Sequence, residues 1–220
     1  MIKVRFLSVV VLATFCLAGT AGAATLPSGV SYNVGGTVVA GNVDLQSLKA
    51  NTGNTNANYH VSGLSLKLDN AEIVKGNHTD WHLAPSGTGN GHYLAVYGEN
   101  DRHHHSGNAV FELGKNITSF AFNWGSIDKY NYVTVTNRNN ETYAISGSDI
   151  IASTVGIIAG TTSKYFKLID LAGIKRVVLC SENNAFEISN ISAVPVPAAL
   201  VLFGSALAGM AALRRGKQKA

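Results

Sequence analysis

The sequence predicts an all-β protein: an antiparallel β-sandwich or jelly roll, with an N-terminal signal helix and a C-terminal transmembrane helix at its ends. Three observations carry this. Short apolar, β-branched and aromatic runs recur between clusters of Gly, Asn and Asp, which is the punctuation of strands and turns. Several runs alternate strictly, leaving one face apolar and the other polar. Both chain ends are apolar segments flanked by basic residues, the pattern of targeting segments rather than of a core.

The strand candidates, in order, are Val30–Ala40, Gly63–Asp69, His92–Tyr97, Asn108–Leu113, Thr118–Trp124, Tyr132–Thr136, Thr142–Ile145, Tyr165–Asp170, Arg176–Ser181 and Ala185–Ile191. In the second, Leu64, Leu66 and Leu68 face one way and Ser65, Lys67 and Asp69 the other. Phe120, Phe122 and Trp124 repeat the pattern and are expected in the core, and Tyr132, Thr134 and Thr136 alternate in the same way against Val133 and Val135. One short helix fits, near Ser148–Thr154, and Asn51–Asn58 reads as a polar loop. Roughly ten strands in one domain's length of chain point to a sandwich rather than βαβ units. No internal repeat appears at propeller or solenoid spacing.

The ends account for the rest of the chain. Met1–Ala23 has Lys3 and Arg5, an apolar stretch from Phe6 to Ala18, and Ala21-Gly22-Ala23. These are the three parts of a secretory signal, cut after Ala23 or Ala24. Phe15 before Cys16 argues against a lipoprotein, whose processing site takes a small residue there. At the other end, Pro195 and Pro197 lead into an apolar run from Ala198 to Leu213, followed by Arg214, Arg215, Lys217 and Lys219. At about 1.5 Å per residue this run just crosses a thin hydrocarbon core. The cations after it stay on the cytoplasmic side. The expected division is therefore signal 1–23, sandwich 24–193 and tail 194–220.

The tail resembles the PEP-CTERM class of bacterial sorting signals, and more closely its variant beginning Val-Pro-Leu-Pro-Ala. The residues that carry the resemblance are Val194, Pro195, Pro197, Ala198, Ala199, Phe203, Gly204, Ser205, Arg214 and Arg215. Val196 stands where the variant has Leu and the main class Glu. The resemblance implies a Gram-negative host and a processing partner: an exosortase, an integral-membrane cysteine transpeptidase-like enzyme. It also implies transient anchoring in the inner membrane and delivery to the cell surface or extracellular polymer. Residues 117–135 and 183–194 are similar to uncharacterised domains found on such proteins. The matching positions are Trp124, Gly125, Ser126, Asp128, Tyr130 and Asn131, then Ala185, Phe186, Glu187, Ile188, Asn190 and Ile191, with Ser189 in place of Asp. That similarity implies a surface-located sandwich with the look of carbohydrate-binding folds.

Charge and chemistry narrow the function classes. The chain carries 17 basic and 13 acidic residues. Lys3, Arg5 and the four tail cations leave 11 basic residues in the body (17 − 6), against all 13 acidic ones, hence about −2. A body of that charge lacks the cation excess that nucleic acid rewards. Cys180 is alone once Cys16 leaves with the signal, and is expected as a buried core thiol without a disulfide. No G-x-S-x-G elbow appears and no carboxylate spacing singles out an acid/base pair, so no catalytic residue is assigned.

Three local features remain as candidate sites. All seven His lie between His60 and His105; His103 and His105 can share a strand face and offer imidazole to a metal, against a solvated polar loop as the plainer reading. Asp128, with Ser126 and Asn131, offers oxygens suited to Ca²⁺, but the same residues suit a turn that bonds its own backbone, which is favoured. No other cofactor is expected. Trp81, Tyr93, Tyr97 and Tyr130, if exposed, can stack on sugar faces of an extracellular polysaccharide. The expected function is a non-enzymatic structural or interaction role at the surface. The alternatives are a carbohydrate-binding module and, third, a secreted hydrolase.

Overall fold

The computed structural model describes residues 25–36, 41–53, 55–77, 82–86, 88, 91–99, 106–161 and 163–195. The signal segment, the tail from Val196 onward, Trp81, His103 and His105 lie outside these residues, and with them both expected terminal helices. Among the described residues there are twelve strands: β1 (Val30–Val34), β2 (Asn58–Val61), β3 (Leu64–Asp69), β4 (Ala71–Lys75), β5 (His92–Val96), β6 (Gly107–Glu112), β7 (Ile117–Trp124), β8 (Asn131–Asn137), β9 (Thr142–Ser146), β10 (Lys164–Asp170), β11 (Ile174–Ser181) and β12 (Phe186–Pro195). Helix α1 (Gly147–Ser153) joins β9 to β10. The strands form two six-stranded sheets, β1-β10-β7-β12-β5-β4 and β2-β3-β6-β11-β8-β9. Every pairing is antiparallel.

The core lies between the sheets and follows from the alternation. Phe120, Phe122 and Trp124 on β7 are fully buried, with Phe166 and Phe186 from the strands on either side. Trp124 and Phe186 have ring centroids 4.5 Å apart, and Phe122 and Phe166 5.1 Å. The facing sheet contributes Leu64, Leu66, Leu68, Phe111, Val133, Val135, Val177 and Leu179. Each such side chain contributes about 1.5–3 kcal/mol when withdrawn from water. Helix α1 begins with a capping box: Ser146 Oγ accepts from Asp149 N, and Asp149 Oδ2 accepts from Ser146 N.

The structure corrects several boundaries. β1 stops at Val34, not Ala40, because Gly35 and Gly36 both take positive φ (103° and 85°) and turn the chain. β2, β4 and a 3-10 turn at Leu45–Ser47 are additional elements. β4 was hidden because it follows β3 after one residue: Asn70, at φ 47°, carries the chain from one sheet to the other. The outer edge of β4 is closed by Asn51, whose amide donates to Lys75 O (3.1 Å) and accepts from Lys75 N (2.9 Å), which protects that edge from further pairing.

β12 is longer than expected and holds a bulge. Ser189 pairs with Asn123 but Ser192 with Ala121, so one extra residue is accommodated at Asn190 (φ 50°). The extra residue keeps Ile191 and Ala193 pointing inward after Ile188. Beyond it, Val194 pairs with Ser119 and Pro195 with Ile117. The sandwich therefore runs two residues past Ala193, into the segment expected to open the tail. Cys180 is buried against Val110, Tyr132 and Val178 on the outer side of the second sheet. It is disulfide-bonded, not the lone thiol expected.

Candidate functional site

The polar chemistry gathers on the outer face of the first sheet. On β12 the alternation that sends Phe186 and Ile188 inward sends Glu187 and Ser189 outward. The outward side is nevertheless buried, because residues 82–88 lie across it. Leu83 N donates to Glu187 Oε1 (3.1 Å), Asn123 Nδ2 to Ser86 O (2.5 Å) and Thr88 Oγ1 to Ser189 Oγ (2.9 Å). Glu187 Oε2 accepts from Ser126 Oγ (2.9 Å). Both Glu187 oxygens are thus satisfied while the group is only 4% exposed. Burial pushes its pKa up to about 7; the bonds from Leu83 and Ser126 oppose the rise and nearby Asp128 adds to it.

Beneath residues 82–86 and Thr88 lie Tyr93 and Ala95 from β5 and Tyr97 just after it. Tyr93 Oη donates to Gly76 O (2.5 Å) and stands 2.6 Å from His82 Nδ1. With the phenolic hydrogen already given to Gly76, His82 Nδ1 is the donor in that second bond. Burial raises the Tyr93 hydroxyl well above its ordinary range, with Glu187 adding to the rise. Tyr93 and Tyr97 are fully buried. The expectation that they stand exposed to stack on sugars is corrected: the covering segment occupies that position.

Glu72 on β4 and Glu187 on β12 pair with the same residue, Ala95 of β5. Two strand spacings place their Cα atoms about 10 Å apart on one face. Only Glu72 borders an open cleft, of about 510 Å³, lined also by Asn51, Gly53, Lys75, Asn77 and His82. Its Oε1 accepts from Gly53 N (2.6 Å). Glu187 is sealed under Leu83, so the two carboxylates do not share a space that a substrate can enter.

Asp128 lies in the β7–β8 turn. Its carboxylate bonds Ser126 and Tyr130, and its carbonyl accepts from Asn131 N (3.1 Å). Burial raises its pKa against those two bonds. The residues therefore act as turn residues bonding one another. Tyr130 is half-buried, with its hydroxyl between Asp128 and Asn184. No group of three His, Cys, Asp or Glu able to hold a metal occurs among the described residues.

A second cleft, about 320 Å³, opens at the β12 bulge and is lined by Asp44, Gln46, Thr88, His92, Ser189 and Asn190, with Gly41 to Val43 alongside. Gln46 clamps the β5 backbone, accepting from His92 N (3.0 Å) and donating to His92 O (3.2 Å). Asn42 brackets Ala193 in the same way, at 2.8 and 2.9 Å. Gly41 makes this approach possible: a Cβ there would sit 2.5 Å from Ile191 O. No Lys or Arg lines this cleft. Gln46, Thr88 and Asn42 were not anticipated, because their partners are far away in sequence.

The fold is that of an all-β, two-sheet protein, and its two clefts are lined mainly by polar side chains. Compared with known families, curated proteins and solved structures, the chain matches none.

Proposed function

We propose that this is an exported cell-surface or extracellular-matrix protein with a non-enzymatic structural or interaction role, sorted by an exosortase-type enzyme acting on the tail. The observation that carries the reading is the junction at Pro195. The last strand of the sandwich runs without a linker into the proline knot and the apolar, base-terminated segment. A signal segment at the other end completes the export pattern. The sealing of Glu187 supports a non-catalytic role, since it and Glu72, on the same face, do not open into one cleft.

Fractionation of a Gram-negative host tests the reading. The full chain is expected in the surface fraction, and a chain ending at Pro195 in the medium. Recovery of both in one compartment contradicts the role of the tail.

A second reading, a carbohydrate-binding module, is favoured by the cleft at the bulge. Amide, hydroxyl and imidazole groups there suit the hydroxyls of a neutral or weakly charged glycan, and the absence of lining cations does not suit nucleic acid. A glycan array on the full chain, beside a salt-titrated DNA-binding assay, separates the readings. Glycan binding that Ser189→Ala weakens supports the module; silence on every glycan leaves the structural role.

A further inference from the structure

The tail leaves the sandwich at one particular end, and that end has its own chemistry. Pro195 pairs with Ile117, and Ile169 of β10 pairs with Ser119 on the other side of β7. Leu171, two residues on, therefore reaches the same rank as Ile117 and Pro195. Leu171 is 69% exposed and Val194 40%. Three turns crowd around them. Arg138, in the β8–β9 turn, donates from Nη2 to Leu113 O (3.0 Å) and Gly114 O (2.5 Å) before β7, and its amide donates to Gly173 O (2.8 Å) after β10. Lys115 and Lys175 stand exposed beside it, and Lys175 Nζ donates to Asn140 Oδ1 (3.1 Å). A bulge on β11, where Ile174 pairs with Asn137 but Arg176 with Thr136, turns Lys175 outward.

The acidic groups at this end are mostly spoken for. Asp170 is buried and accepts from Tyr143 Oη (2.9 Å), and Glu112 pairs with Arg176. Glu141 is held by Asn137 Nδ2 (2.7 Å), and Asp44 lies by the bulge cleft, held by Gln46 N (3.0 Å). The opposite end carries Asp69, Glu99, Asp149 and Glu182 against Lys129 and Lys164. Hydrogen bonding leaves those carboxylates charged. This end therefore carries Lys115, Arg138, Lys175 and Arg176 against Glu112, Glu141 and Asp170, about +1, and the opposite end about −2. The polarity along the strands is modest, with the exposed cations Lys115, Arg138 and Lys175 where the tail departs.

We propose that, while the tail is inserted, this end of the sandwich rests on the bilayer surface, with Leu171 and Val194 in the interface and Lys115, Arg138 and Lys175 against anionic lipid headgroups. This rests on the anchored-tail reading above. Only two residues, Val196 and Pro197, separate Pro195 from Ala198, where the apolar run begins, a span of at most about 10 Å. That tether keeps this end of the sandwich close to the headgroups, and attraction of its cations to anionic lipid acts over about one Debye length.

The test places a fluorophore at Leu171→Cys, at Val155→Cys on the opposite end, or at Ser205→Cys in the tail. The full chain is reconstituted into phosphatidylcholine vesicles with or without phosphatidylglycerol. Headgroup-labelled quencher lipid is expected to quench position 171 several-fold more than 155, more so with phosphatidylglycerol. Lys115→Gln with Lys175→Gln should remove that extra quenching. Acyl-chain quencher reports insertion at 205. Quenching at 205 with equal signals at 171 and 155, or a 171 signal indifferent to phosphatidylglycerol, overturns the docking alone. No quenching at 205 overturns the anchored tail and the docking with it.

Discussion

The two faces of the first sheet are both buried, by opposite chemistry. The inner face is a stack of rings, Phe120, Phe122, Trp124, Phe166 and Phe186, sealed by the facing sheet. The outer face is Glu187, Ser189, Asn123 and Tyr93, joined to residues 82–86 and Thr88 by hydrogen bonds, with Tyr97 in ring contact with His82. The inner face is held by area removed from water and does not titrate. The outer face depends on polar groups finding partners, and one of them changes protonation near neutrality. The difference separates what holds the fold from what can respond to conditions.

The largest expected effect is on the inner face. Phe122→Ala should cost about 3–5 kcal/mol, since it removes a fully buried ring. Denaturant melts measure it; a loss below about 1 kcal/mol would mean that the inner face is not the main source of stability.

On the outer face the sign reverses for Glu187. Folded, it keeps its proton up to about pH 7; unfolded, it releases it near 4.5. Its contribution is therefore fully present below about pH 4.5 and is lost as pH rises through about 7, in total on the order of 3 kcal/mol. Glu187→Gln keeps an acceptor for Leu83 and a polar partner for Ser126. It should stabilise the protein above neutral pH by that order and flatten the slope across the window. Melts over the pH range that show the variant equally steep, or weaker above pH 7, would count against a buried carboxyl that holds its proton up to about pH 7.

Smaller effects isolate the covering segment. Asn123→Ala removes the bond to Ser86 and should cost about 1–3 kcal/mol, with faster amide exchange confined to residues 82–88. Thr88→Val removes only the bond to Ser189 and should cost about 0.5–1.5 kcal/mol. Exchange that quickens across β7 instead of the covering segment would show that the two faces are not separable.

This contrast also explains what was legible in the sequence. The inner face could be read because strict alternation, as in Leu64, Leu66 and Leu68 or in Phe120, Phe122 and Trp124, has one interpretation. The outer face could not, because Glu187 and Ser189 at polar positions look like solvent-facing residues. Their burial depends on residues 82–88, some hundred positions earlier and without periodicity. The same holds for the extension of β12: the bulge at Asn190 breaks the alternation, so Ser192 to Pro195 did not read as one strand with Phe186. Tyr93 was correctly found on a strand, with Tyr97 just past its end, but both were given an exposed face, since nothing local announces the segment above them.

The most direct measurement is the intact mass, under reducing conditions, of the protein recovered from the cell surface. Export and tail processing predict a chain that begins at Ala24 or Thr25, keeps the sandwich through Pro195, and lacks Lys217 and Lys219. A surface-recovered chain that still carries its leader, or both of those lysines, would contradict the account.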